Sequence, residues 1–197
     1  MRRQVAILLF DDVEVLDFAG PFEVFAVTDE LQDHGVFRVF TVAEGPGTVR
    51  AVNGLKVVPE HTLESAPPPD VLVVPGGIGT RALLRRPVLV EWIRTRSRRA
   101  EITLSVCTGA LVLAQAGLLE GLRVTTHHEV LDQLRALAPT ATVDATRRFH
   151  DNGRILTAAG ISAGIDCSLH VVARLLGREA AEATMRHMEY GPFAQPP

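Results

Sequence analysis

Cys107 stands between the apolar run Ile102-Thr103-Leu104-Ser105-Val106 and the small-residue start of a second apolar stretch, Thr108-Gly109-Ala110. A buried strand that turns directly into a buried helix, with a nucleophilic side chain at the junction, has the logic of a nucleophile elbow with sulfur in place of hydroxyl. A thiol at such a helix start faces unpaired backbone N–H groups. Stabilisation of about 1–2 kcal/mol by the helix dipole would lower its pKa by about one unit. Cys107 is therefore expected to be a reactive thiolate. Cys167 sits within an apolar helical stripe and is expected to be a small buried hydrophobe.

A thiolate nucleophile needs its developing charge held elsewhere and a proton supplied. The N–H of Thr108 is one candidate donor, and its hydroxyl is a second donor or a helix cap. The backbone N–H of Gly77, which lacks a side chain, is the other candidate. Asp17 is the candidate acid: beside a thiolate, like charge and partial burial raise a carboxyl pKa enough for it to carry a proton. The competing role for Asp17 is to cap the helix that Gly20-Pro21 opens. Glu14 and Glu23 lie close by, and spacing alone does not choose among the three acids.

These residues must be positioned by alternating strands and helices. Val5–Phe10, Phe37–Ala43, Val71–Val74, Ile102–Val106 and Arg123–Thr126 read as strands, the third broken by Pro75-Gly76-Gly77. Helices are expected from Gly20-Pro21, from about Thr80 to Arg98, from Ala110 to Ala116, over Glu129–Ala138, after Gly160, and over Glu179–His187, ahead of a Pro-rich tail. Asn53-Gly54 and Asp151-Asn152-Gly153 mark hairpins. The alternation predicts an α/β sandwich, a mostly parallel sheet covered by helices on both faces, as one domain over residues 1–197. Ligands of such sheets bind outside the carboxyl ends of the strands, where the loops of Asp17, Gly77 and Cys107 fall.

Composition narrows the function classes. The 197 residues are 47% hydrophobic and 22% charged, with a net charge of −3. That balance excludes intrinsic disorder and gives no electrostatic reason to seek nucleic acid or an anionic membrane. The arginines from Arg94 to Arg99 read as a solvated helix end. Two cysteines make neither a disulfide scaffold nor a four-cysteine zinc site. The run after Arg2-Arg3 is shorter than the roughly 7–15 apolar residues of a signal peptide, so a cytoplasmic location is expected.

Other patterns carry less. Gly77-Ile78-Gly79-Thr80-Arg81-Ala82 fits a dinucleotide fingerprint, but the acid expected to end the next strand is replaced by Glu101 at that strand's start. Cys167-x-x-His170 is half a metal site with no partner pair. His127 is expected to pack near the cysteine loop. Neither a cofactor nor a metal is expected.

Taken in order, Leu8-Leu9-Phe10, Leu16-Asp17-Phe18-Ala19-Gly20-Pro21, Val74-Pro75-Gly76-Gly77, Ser105-Val106-Cys107-Thr108-Gly109-Ala110, Thr125-Thr126-His127 and Gly160-Ile161-Ser162-Ala163-Gly164-Ile165-Asp166 resemble the DJ-1/PfpI superfamily, and within it the isocyanide hydratase-like branch. The resemblance implies a flavodoxin-like three-layer sandwich and a homodimer. It gives Cys107 the role of nucleophile, Asp17 that of acidic partner and Thr108 that of the residue after the nucleophile. The implied reaction adds water to an isocyanide without a cofactor. Cys107 attacks the terminal carbon, Asp17 protonates it, and water activated by ionised Asp17 releases an N-substituted formamide. Thr108 stands where PfpI-type peptidases carry histidine, which argues against peptidase activity. The superfamily also includes sensor domains of transcriptional regulators, so a non-catalytic redox- or metabolite-sensing role is the alternative.

Overall fold

The computed structural model describes residues 2–191, so the Pro-rich tail lies outside the described residues. Strands β1 (Arg3–Leu8), β2 (Phe37–Ala43), β5 (His61–Thr62), β6 (Val71–Val74), β7 (Ile102–Val106), β10 (Phe149–Asp151) and β11 (Ile155–Ala158) form one seven-stranded sheet. Its order is β10-β11-β7-β6-β1-β2-β5, and the pairings are parallel except β10 with β11. Every residue of β6 and β7 is buried. Covered on both faces, these strands are β-branched and leucine runs, interrupted only by the small Ser105, rather than alternating ones.

The connections are α1 (Val15–Leu31), α2 (Thr80–Leu83), α3 (Pro87–Arg99), α4 (Gly109–Gln115), α5 (Leu131–Leu137), α6 (Ala163–Leu176) and α7 (Arg178–His187). Helices α1, α6 and α7 pack on one another. Two small pairings complete the fold: β3 (Val49–Arg50) with β4 (Lys56–Val57), and β8 (Arg123–Val124) with β9 (Thr142–Val143). Asn53-Gly54 does turn the chain between β3 and β4, with φ of +61° and +90°. Those left-handed angles suit Asn and Gly.

Two elements differ from the sequence reading. The helix expected from Gly20-Pro21 begins five residues earlier, at Val15, so Asp17 lies in its first turn and Pro21 inside it. Local turn chemistry suggested a start at proline, but burial of Phe18 against the core draws the preceding residues into the helix. The single helix expected from Thr80 to Arg98 is broken at Arg86, because Pro87 has no N–H to continue the ladder and instead begins α3.

The chain runs β1, β2, β5 to one side of the sheet, then returns to place β6 and β7 on the other side of β1. That reversal leaves a crevice at the carboxyl ends of β1 and β6, with β7 next in line.

Candidate active site

Three loops meet at this crevice because β1, β6 and β7 are neighbours in register, Val5 beside Val71 and Val74 beside Ser105. Cys107 follows β7 with φ +55°, a left-handed conformation that non-glycine residues seldom adopt. Neighbours hold it there. Its N–H is shared between the carbonyls of Ala158 (3.2 Å) and Ala159 (2.9 Å), and its carbonyl accepts from the Thr126 hydroxyl at 2.8 Å. Gly109 lets α4 start against β6: a Cβ there would lie 2.1 Å from the Val74 carbonyl oxygen.

Asp17 is wholly buried. Its Oδ2 accepts from the Gly76 N–H at 2.9 Å, and its Oδ1 has no hydrogen-bond partner among the described residues. The space is made by glycine, since a Cβ on Gly76 would meet Thr108 N at 2.5 Å and Asp17 Oδ2 at 2.8 Å. Asp17 therefore does not cap a helix. Glu23 is exposed and lines a separate groove between α1 and β2, so it is not part of this site. Glu14 lies on the site's wall.

The electrostatics correct the thiolate expectation. Burial, reinforced by the charge of Asp17, pushes the Cys107 thiol from 9.0 up to about 12, against the N–H groups of Thr108 and Ile161 that favour the thiolate. Helix α4 is only two turns long, and a dipole effect of about one unit cannot offset that burial. Burial also raises Asp17, from 3.8 to about 7; the Gly76 N–H opposes this and the charge of Glu14 adds to it. Above about pH 7 the proton of the pair thus rests on sulfur and the carboxyl is ionised.

Gly77 also departs from expectation. Its N–H donates to the Thr108 hydroxyl at 2.9 Å, so it is not free to hold a substrate's charge. The Thr108 hydroxyl donates to the Gly77 carbonyl at 3.1 Å and accepts from Thr80. It pins the loop after β6 to the start of α4 and makes no cap bond. Gly77 has φ +127°, and a Cβ would lie 2.4 Å from the Asp12 carbonyl oxygen, so its role is close approach. The N–H of Ile78 has no partner among the described residues, and Ile78 lines the cavity.

That cavity has a volume of about 220 Å³. Cys107, Thr108, Gly77 and Ile78 are on its wall, with Glu14, Arg81, His127, Glu129, Val130 and Ile161 around them. His127 packs against Gly160, as a Cβ on that glycine would touch its ring at 2.5 Å, and its Nδ1 accepts from the Glu129 N–H at 3.4 Å. Sequence reasoning missed Thr126, Thr80 and Ile161 as parts of the site. Ile161 has φ +49° and directs an N–H to the Cys107 sulfur. Only the neighbouring Gly160 hinted at close packing there. Cys167 is fully buried, as expected, and no cluster of metal ligands occurs among the described residues. Nor is any described helix long and apolar enough to cross a membrane.

Comparison with known proteins identifies the family and the fold. Residues 3–174 match the DJ-1/PfpI family. The chain is 36% identical to isonitrile hydratase of Pseudomonas putida over 98% of this chain and 80% of that protein. It is 29% identical to the HTH-type transcriptional regulator GbdR of Pseudomonas aeruginosa over 92% of this chain, spanning about half of the regulator's length. The crystal structure of a ThiJ/PfpI family protein from Pseudomonas syringae superposes with a TM-score of 0.88 at 31% identity, covering all of this chain and 78% of that one. Drosophila melanogaster DJ-1beta shares the fold at a TM-score of 0.84 and 18% identity, with 98% of this chain and all of that one covered.

Proposed function

The chain belongs to the DJ-1/PfpI family, and from that premise we propose that it hydrates isocyanides to N-substituted formamides through a covalent adduct on Cys107. The observation that carries this reading is the Cys107 thiol on the wall of a cavity of about 220 Å³, with the wholly buried carboxyl of Asp17 near enough for its charge to act on the sulfur. The terminal carbon of an isocyanide must gain both a nucleophile and a proton. Asp17 takes the thiol proton as sulfur attacks and delivers it to that carbon, forming the thioimidate R–N=CH–S–Cys107. No free thiolate need accumulate, so a high resting thiol pKa is compatible with attack. The N–H of Ile78 is available to polarise the substrate in place of the Gly77 N–H. Water then adds to the thioimidate carbon, and the C–S bond breaks to release formamide and thiol. The small cavity favours compact isocyanides. The same kinship supports a homodimer, which sedimentation would test.

Hydration of para-nitrophenyl isocyanide, followed optically, tests the reaction. Turnover that Cys107→Ala abolishes is expected. A panel of isocyanides left untouched by the reduced protein would remove the substrate assignment.

A sensing role is the second reading, favoured by the similarity to half of a transcriptional regulator. Selective, reversible peroxide oxidation of Cys107 in a protein that turns over no isocyanide would favour it.

A further inference from the structure

Asp17 is placed for only one of the two proton transfers that hydration requires. Its side chain is wholly buried and is not on the cavity wall, whereas Cys107 is. The carbon that Asp17 protonates is bonded to sulfur, whereas the attacking water approaches that carbon from the cavity, on whose wall Asp17 does not lie. A general base must lie within about 3 Å of the proton it removes, or one water away. Asp17 has no exposed surface from which to meet that water, and its Oδ2 is already engaged by the Gly76 N–H.

Glu14 sits three residues before Asp17, immediately ahead of α1, half-buried on the cavity wall. Its backbone is fixed: its N–H donates to the Gly76 carbonyl at 2.9 Å, and its carbonyl accepts from the Asp17 N–H at 3.2 Å. Its carboxylate has no ion-pair or hydrogen-bond partner among the described residues, yet its charge reaches Asp17. The other bases on the wall are less suited. Glu129 is exposed and turned toward His127, at 3.8 Å, and the His127 Nδ1 already accepts a backbone N–H.

We propose that Glu14 is the catalytic base of the second half-reaction, so that Asp17 serves sulfur and Glu14 serves water. This rests on the hydratase reading above. In the step, Glu14 takes a proton from water as the C–O bond forms and passes it to the substrate nitrogen. The tetrahedral adduct then breaks its C–S bond, and its hydroxyl proton goes to the departing sulfur. Sulfur regains the proton it gave in the first half, and one water is consumed per formamide released.

Rapid mixing of para-nitrophenyl isocyanide with wild type, Glu14→Gln and Asp17→Asn, with intact-mass analysis of quenched samples, tests the division. Glu14→Gln is expected to keep a burst of one equivalent, to accumulate the Cys107 adduct, and to lose about 100-fold in steady-state rate. Asp17→Asn is expected to lose the burst itself. Glu14→Gln at the wild-type steady-state rate overturns the assignment. So does a burst slowed in parallel with turnover and without adduct, because that pattern means Glu14 acts only through Asp17. A wild type that forms neither adduct nor formamide overturns the hydratase reading, and this assignment with it; that failure is recognised in the unmodified protein alone.

Discussion

At the residue scale, the central fact is a carboxyl whose folded environment opposes its charge. In the unfolded chain Asp17 titrates near 3.8, and in the folded protein near 7. The native state holds this proton over an interval in which the unfolded state has lost it. The stability this group contributes is therefore full below about 3.8, falls as pH rises, and is lost above about 7. Asp17→Asn keeps an acceptor for the Gly76 N–H and removes the buried charge. It is expected to raise unfolding free energy by roughly 2–4 kcal/mol at about pH 8 and to change it little near pH 3. Urea titrations at both pH values check this, and an equal effect at both would mean that the carboxyl is not held neutral by burial. Activity is expected to move the opposite way in that variant, a stability–function trade at a single side chain.

At the element scale, the site depends on how closely backbones approach. Helix α4 begins under the end of β6, and the contact leaves no room for a methyl group at Gly109. Because the obstructing atoms are the Val74 and Pro75 carbonyl oxygens rather than a flexible side chain, relief requires the helix to move. Gly109→Ala is expected to cost about 2–3 kcal/mol and to displace Cys107 from Asp17. Thermal unfolding measures the cost, and the rate of Cys107 alkylation at neutral pH reports the displacement. An unchanged melting temperature would show that the strand–helix junction has slack. The elbow was legible in the sequence because a buried strand, a nucleophile and a glycine stood together. The start of α1 was not, since Gly20-Pro21 resembles a helix opening and only packing of Phe18 and Asp17 into the core moves it to Val15.

At the scale of the whole molecule, the same strands that bury the core carry the chemistry. β1, β6 and β7 lie in the middle of the sheet, their neighbours paired on both sides, while β5 and β10 are its edges. Amide exchange is expected to be slowest in β1, β6 and β7 and faster in β5 and β10, measured by mass spectrometry of peptides from labelled native protein. Slow exchange confined to α6 and α7 would locate the stable nucleus elsewhere. On that expectation, Cys107, Asp17 and Gly76 are held beside the strands that open last.

The amino-acid order alone determined the architecture, because runs such as Val71–Val74 and Ile102–Val106 can satisfy their apolar surfaces only when covered on both faces. It also determined which thiol stands at an elbow and which is core. Only the tertiary structure decided the state of the reacting groups. Whether Cys107 is a thiol or a thiolate depends on how much water and charge surround it. Whether the Gly77 N–H is free depends on a hydroxyl 31 positions away in the chain. Which acid lines the cavity and which is buried depends on where α1 begins, with Glu14 just ahead of it and Asp17 in its first turn. Desolvation and hydrogen-bond competition are properties of spatial neighbours, and linear order does not list those.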